Sequence, residues 1–363
     1  MKVLVGYVVD FDVSGIDKYL INVIEIAKEN GISLDFLTSK PTKKTKDFLE
    51  SYGFNLFSVS SLKNPFKHYN DLKKIIRKGN YDRAYFNISE PLNFCGVLAA
   101  KNNNLPTFTH SHSSGMDIKN PIKRFVRGVI NFLARPILCY STNNFLACSY
   151  TAAVWLFGKK NAKRTKIIFN SVDTSKFKPN LKMRTQKREE LGIKEDTLVL
   201  GTVASFSYQK NNFFLADVLK ETIKENKNVV LLLVGEGETK EAVKTRFNEF
   251  GLGEHVRFLG KRTDVFELMQ TMDVFLLPSR FEGLPIVSVE AQLSGVPCLL
   301  SNKIDRLSAI SDCCEFLNIK EPKQWANKIL LLNNKEEKKY NEKMLKNFSY
   351  EHNKEEILKV LFG

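Results

Sequence analysis

Short apolar runs alternate with longer amphipathic stretches along this chain, and the alternation stops and then restarts. "KVLVGYVV", "SLDFLTS", "FNLFSVS", "DRAYFNI", "PTFTHS", "NFLACS" and "TKIIFN" read as buried strands. Helical patterns such as "YLINVIEIAKENG", closing on Gly31, lie between several of them. After residues 170–192 come "TLVLGTVAS", "NVVLLLVGEG", "HVRFLG", "DVFLLPS" and "PCLLS", again interleaved with helices. Continuous Val, Ile and Leu runs suit strands buried on both faces, and their connections imply parallel pairing. The expectation is α/β: two doubly wound, Rossmann-like parallel-sheet domains facing across a cleft. The boundaries expected are 1–170, 171–340 and a charged C-terminal helix, 341–363, crossing back to the first domain. No solenoid-length repeat or low-complexity segment intervenes.

The 363 residues suffice for two domains, and 27 Phe supply large apolar side chains for their cores. No apolar run reaches the roughly 18 residues of a membrane span. The N-terminus meets an acid too early for a signal peptide and reads as a first strand. Six Cys without CxxC spacing and five scattered His suggest reduced thiols and no metal site. A net charge of +15 concentrates in 39–46, 71–80 and 119–136. Such a surface serves nucleic acid, anionic lipid or a phosphorylated ligand. No helix-turn-helix, RNA-binding or zinc-finger signature is present, so nucleic acid is not expected.

In doubly wound sheets chemistry gathers where strands end. "SRFEGLPIVSVEAQLSGVPCLLS", 279–301, follows such an end and holds two acids, Glu282 and Glu290. Pro285 suits a first helical turn, and Gly295 with Pro297 stops the helix. On a wheel, Ile286, Val287, Val289 and Leu293 mark an apolar arc, and Glu290 falls inside it. A carboxylate buried there needs donors: a pair of sugar hydroxyls, or a protein cation in an internal salt bridge. The backbone N–H groups of Gly283 and Leu284 and the positive helix end suit a phosphate or a hydroxyl-rich ligand.

That stretch resembles the E-G-x-P-x-x-x-x-E-A signature of retaining glycosyltransferases of family four, which have the GT-B fold. The resemblance extends over nearly the whole chain. "THSHSS", "FLACSYTAAVWLFG", "IIFNSVDTSKFKP", "VASFSYQKNN", "LLLVGEGE" and "VRFLGKRTDVFELMQTMDVFLLPS" fall in the family's order. The branch most similar builds bacterial capsular or exopolysaccharide repeat units.

The resemblance implies a hexosyltransferase-type enzyme. It would carry a sugar from a nucleotide diphosphate, UDP by family frequency, to a hydroxyl of a glycan or lipid-linked glycan. Glu290 would hold the ribose hydroxyls, Glu282 would lie by the donor sugar, and Lys210 would neutralise the departing diphosphate. Gly15 would let backbone approach the diphosphate, and Arg262 sits where the nucleobase is cradled, largely through backbone. His112 would stand near the anomeric carbon and the acceptor, with His110 on the same face. No cofactor or metal is implied, since cations and helix N-termini meet the diphosphate charge. One departure stands out: the family's Arg before this Lys is absent, Ala204 and Ser205 occupying the positions. It feeds an alternative, a catalytically silent subunit beside an active transferase. A sugar-nucleotide epimerase on the same fold is the other alternative, and the paired Glu motif disfavours it. The protein is expected in the cytoplasm, peripheral on the inner face of the plasma membrane. A basic amphipathic helix within 119–136 would rest there on anionic lipid, unless its apolar side faces the core.

Overall fold

The structure is a computed structural model describing residues 1–7, 15–332 and 339–363. Val8 and Val9 of the first apolar run, Ser14, and Glu336 to Lys338 of the tail lie outside the described residues. The chain divides into two compact units. One comprises Met1–Met116, Asn120–Ser171 and Tyr350–Gly363; the other comprises Asp117–Lys119 and Val172–Ser349.

The first unit carries seven strands: β1 (Lys2–Gly6), β2 (Ser33–Thr38), β3 (Asn55–Ser58), β4 (Arg83–Ile88), β5 (Thr107–Ser111), β6 (Asn144–Ala147) and β7 (Lys166–Ile167). They pair in parallel in the order β3-β2-β1-β4-β5-β6-β7. Helices return the chain between strands, as parallel pairing requires. The Gly15–Glu29 helix lays Leu20, Val23 and Ile24 on Val3, Val5 and Phe36 of the sheet. Gly31, at φ 65°, lets the chain leave that helix. The C-terminal residues Ile357, Leu361 and Phe362 join this same core. The tail divides: the Glu342–Asn347 helix belongs to the second unit and Tyr350–Gly363 to the first.

The second unit carries β8 (Leu198–Val203), β9 (Val229–Val234), β10 (Val256–Gly260), β11 (Val274–Leu277), β12 (Cys298–Ser301) and β13 (Cys314–Leu317). Their order is β10-β9-β8-β11-β12-β13, with every pair parallel. All six residues of β9 are buried, as its unbroken VVLLLV run requires. Both units are therefore Rossmann-like sheets of the expected class. Two elements lie outside the apolar runs quoted above: β13, whose "CEFL" lacks a strong apolar run, and the Pro322–Leu331 helix. That helix sinks Trp325, 0% exposed, into the core beside Phe214.

The stretch read as a connection at 170–192 contains a helix, Leu181–Glu190, fixed to its sheet by buried charge. Arg188 donates to the Thr271 carbonyl and to Asp273, 2.9 Å away, while Asp273 also accepts from Val199 N at 2.7 Å. One carboxylate thus ties helix to sheet.

Candidate functional site

A doubly wound sheet opens where its strand order reverses, and ligands bind beyond the strand ends there. In the second unit that point lies between β8 and β11. The loop after β8 carries Ser205 and Lys210, and the loop after β11 carries Glu282. The structure brings Lys210 and Glu282 together: Lys210 Nζ donates to Glu282 Oε1 at 2.6 Å. Gln209 Nε2 donates to Glu282 Oε2 at 3.0 Å. Glu282 is 5% exposed, so a carboxylate is tolerated here because both oxygens are met.

Arg280 knits the two loops. Its backbone N–H donates to the Gln209 carbonyl at 2.8 Å, and its guanidinium reaches the Tyr208 carbonyl and Asn211 Oδ1. Asn211 takes a left-handed φ of 56° and donates to the Pro278 carbonyl at 3.1 Å. Ser205 is exposed, and its carbonyl accepts from Asn212 Nδ2 at 3.0 Å. No sequence pattern marked Gln209, Asn211 or Arg280, because each works through loop–loop contact.

A third loop braces the first. Gly235, at φ 141°, lies against the Ala204 carbonyl, and Gly237, at φ 157°, lies against Phe206. Ala204 N bonds to Val234 O and Phe206 N to Glu236 O. A Cβ on Gly235 would meet the Ala204 carbonyl in a backbone region closed to side chains. Gly235→Ala is expected to cost about 1–3 kcal/mol of backbone strain. A fall in the unfolding midpoint of about 2–12 °C by calorimetry would register this; an unchanged midpoint would show that the loop gives way.

Glu290 lies in the helix Ile286–Leu293 that follows the Glu282 loop. The apolar-arc reading needs correction. Every residue of this helix except Val287 is buried, Ser288, Glu290 and Gln292 included. The cause is a covering loop. Gln292 donates to the Ser308 carbonyl at 2.8 Å and accepts from Ile310 N and Ser311 N. Glu290, 5% exposed, is therefore one of three buried polar residues on the helix. Pro285 is the N-cap residue and not part of the first turn, and Gly283 and Leu284 before it are buried.

Arg262 follows β10, at the far edge of the sheet. Its guanidinium is engaged by Asp264 through two bonds of 2.8 and 2.6 Å. Asp264 also receives Lys187 Nζ at 3.0 Å. Hydrogen bonds from Arg262 hold the Asp264 carboxyl well below the usual range. The Arg262 side chain thus ties its loop to the Leu181–Glu190 helix.

In the first unit the strand order reverses between β1 and β4. Gly15 opens the helix beyond β1, and its carbonyl accepts from Asn170 Nδ2 at 3.4 Å. A Cβ at Gly15 would meet nothing within 4 Å, so the described neighbours do not demand glycine. His110 lies in β5 and His112 just beyond it, with ring centroids 4.0 Å apart. His112 Nε2 bonds Asn87 Oδ1 at 2.8 Å, and Tyr85 OH bonds His110 Nδ1 at 2.6 Å. Among the described residues, His112 Nδ1 and His110 Nε2 have no hydrogen-bond partner. Burial pushes His112 down to about 3 and His110 well below its ordinary value. Both are then neutral near pH 7, and Nε2–H facing Asn87 leaves the Nδ1 lone pair of His112 to accept a hydrogen bond.

The sign of the stability effect follows. The unfolded chain protonates His112 near pH 6.5, and the folded chain does not until about 3. Folding stability should therefore drop as pH falls from 6.5 towards 3. Unfolding midpoints measured across that window should decline, and less steeply in His112→Asn. Equal slopes would show that His112 charges freely in the fold.

Among the described residues, no group of three or more His, Cys, Asp or Glu is placed to hold a metal ion. No described helix is long and apolar enough to cross a membrane.

The family model for Glycosyltransferase Family 4 matches residues 13–176, and that for Glycosyl transferases group 1 matches 183–354. EpsF of Bacillus subtilis (strain 168) is 29% identical over 329 residues, spanning 87% of this chain and 83% of that protein. The Escherichia coli UDP-Gal:alpha-D-GlcNAc-diphosphoundecaprenol alpha-1,3-galactosyltransferase is 26% identical over 299 residues, 81% of this chain and 74% of its own. Among solved structures, HepE of Anabaena, crystallised with UDP, superposes with a TM-score of 0.76 at 20% identity, covering 99% of each chain. The solved neighbours share the two-sheet GT-B architecture, and two matching family models that together span both sheets place this chain among the family four glycosyltransferases.

Proposed function

We propose that this enzyme is a retaining hexosyltransferase that moves a sugar from a UDP-linked donor to a hydroxyl of a lipid-linked glycan during bacterial surface polysaccharide synthesis. The observation that carries the reading is the Lys210–Glu282 pair at 2.6 Å, at the strand-order reversal of the second sheet. Related proteins support the donor and acceptor classes: HepE is described in complex with UDP-glucose, and the Escherichia coli relative is named for a UDP-Gal donor and a diphosphoundecaprenol acceptor.

In this reading the second unit binds the donor and the first the acceptor. Glu290 accepts two hydrogen bonds from the ribose hydroxyls. Lys210 faces the diphosphate and stabilises the charge that grows as the glycosidic C–O bond breaks. The amides of Gly283 and Leu284 and the helix N-terminus add to that stabilisation. Glu282 meets the sugar hydroxyls. The acceptor oxygen bonds the anomeric carbon from the face the diphosphate leaves, and its proton passes to the departing phosphate oxygen. His112, neutral, orients the incoming hydroxyl or supports the sugar's developing positive charge. Gly15 keeps the role the resemblance implies, backbone approach to the diphosphate, and the loop of Arg262 that of cradling the nucleobase. Protein cations meet the diphosphate charge without a resident metal, and Ser205 leaves them one fewer than usual. The protein works in the cytoplasm, peripheral on the inner face of the membrane.

The test is UDP release from a panel of UDP-sugars, with and without a polyprenyl-diphosphate glycan acceptor. Acceptor-dependent release with an α-linked product from an α-linked donor is expected. No hydrolysis and no transfer would identify a silent subunit, and conversion of donor alone would identify an epimerase.

A further inference from the structure

The Pro121–Ser141 helix is built inside out. Asn120 caps it by accepting from Lys123 N, and Pro121 fills the first turn. Its buried face is narrow: Asn131, Ala134, Leu138 and Ser141. Polar contacts fix that face. Glu90 accepts from Arg127 Nε at 2.8 Å and from Asn131 Nδ2 at 2.9 Å, and Asn131 Oδ1 accepts from Leu92 N. On a wheel at 100° per residue the opposite arc centres on Ile122, Leu133 and Tyr140. Those three are 73%, 65% and 70% exposed, and Phe125 and Phe132 beside them are 74% and 68% exposed. Among the described residues, nine of the sixteen large exposed apolar side chains lie on this one helix. Apolar side chains exposed singly are ordinary; a contiguous face of them marks a binding surface.

Charge identifies the occupant. The helix contains no Asp or Glu, and Lys123 and Arg124 flank the arc at one end and Arg135 at the other. The adjoining Tyr150–Ala162 helix meets it through Arg135, which donates to the Trp155 carbonyl at 3.0 Å. That helix ends in exposed Lys159 and Lys160, followed by Lys163. Between the two helices Leu133, Pro136, Cys139 and Phe157 continue the apolar surface into a groove of about 280 Å³. A second copy of this chain docked on the same face would set these cations against their own kind. A bilayer of anionic lipid supplies hydrocarbon for the arc and negative headgroups for its flanks.

We infer that the Pro121–Ser141 helix lies in the interface of an anionic membrane, with Phe125, Phe132 and Leu133 below the headgroups and Lys123 and Lys160 among them. This deepens the peripheral placement proposed above and rests on it; the geometry is that of the first unit alone. The experiment is vesicle sedimentation with the full chain. Vesicles of phosphatidylglycerol and phosphatidylethanolamine should carry it down, and vesicles of pure phosphatidylcholine should not. Binding should fall at least tenfold in Phe125→Ser/Phe132→Ser/Leu133→Ser and in Lys123→Glu/Lys160→Glu, with circular dichroism unchanged. A chain left in the supernatant with anionic vesicles would overturn the inference. So would a triple variant that still binds, or an unmodified chain that sediments as a dimer dissociated by the triple change. UDP release towards a water-soluble acceptor, measured without vesicles, separates the two readings. Release without vesicle binding sinks this inference alone, and vesicle binding without release sinks the donor assignment.

Discussion

Replacing Lys210 by Ala is expected to lower kcat by about a hundred- to a thousandfold, the usual effect of deleting one preorganised charge from a developing anion. KM should change less, because the charge on the diphosphate grows as its bond to the sugar breaks. The same substitution strips Glu282 of its 2.6 Å cation, while the Gln209 amide still donates to it. A carboxylate that is 5% exposed then loses stability, by about 1–3 kcal/mol. Structure and catalysis are separable here. Adding Glu282→Gln to Lys210→Ala removes the stranded charge and should recover much of the unfolding midpoint without recovering turnover. If the double variant regained turnover with stability, Lys210 would be a structural partner of Glu282 and nothing more.

Glu290→Ala should abolish nucleotide binding. Two hydrogen bonds from ribose hydroxyls to a carboxylate, at roughly 1.5–3 kcal/mol each, imply at least a hundredfold rise in Kd. A nucleotide at a hundred times its Kd stabilises the fold by about 2.7 kcal/mol. After a hundredfold loss that drops to about 0.4 kcal/mol, so the thermal shift given by UDP should vanish. Glu290→Gln keeps the shape with weaker acceptors and should leave a residual shift. An undiminished shift in Glu290→Ala would mean that the acid serves the fold, as Gln292 on the same helix does.

Legibility differed with the range of the interaction. The strand runs were readable because a strand buried on both faces must be apolar throughout, as Val229–Val234 is. The paired acids were readable because a carboxylate in an apolar setting demands an explanation. β13 was not: Cys314–Leu317 has three half-buried residues and takes its place from β12 beside it. The burial of the Ile286–Leu293 helix on nearly all sides was not readable either, since the covering loop at 306–311 meets Gln292 from 16 to 19 residues away in sequence.

The order of apolar runs, their restart after the middle of the chain, and the residue types at 205–212 and 279–301 determined, by themselves, two doubly wound sheets and the strand ends at which to look for chemistry in the second. Those are local properties, legible because burial periodicity and turn chemistry act within a few residues. Only the tertiary structure decided that Lys210 is paired with Glu282, that Arg262 is tied to Asp264, and that the Pro121–Ser141 helix turns its apolar side outward. The same wheel of Ile, Phe and Leu fits a core or a membrane equally well. What chooses between them is the neighbour the helix meets, and here Glu90 and Asn131 hold its polar side inward.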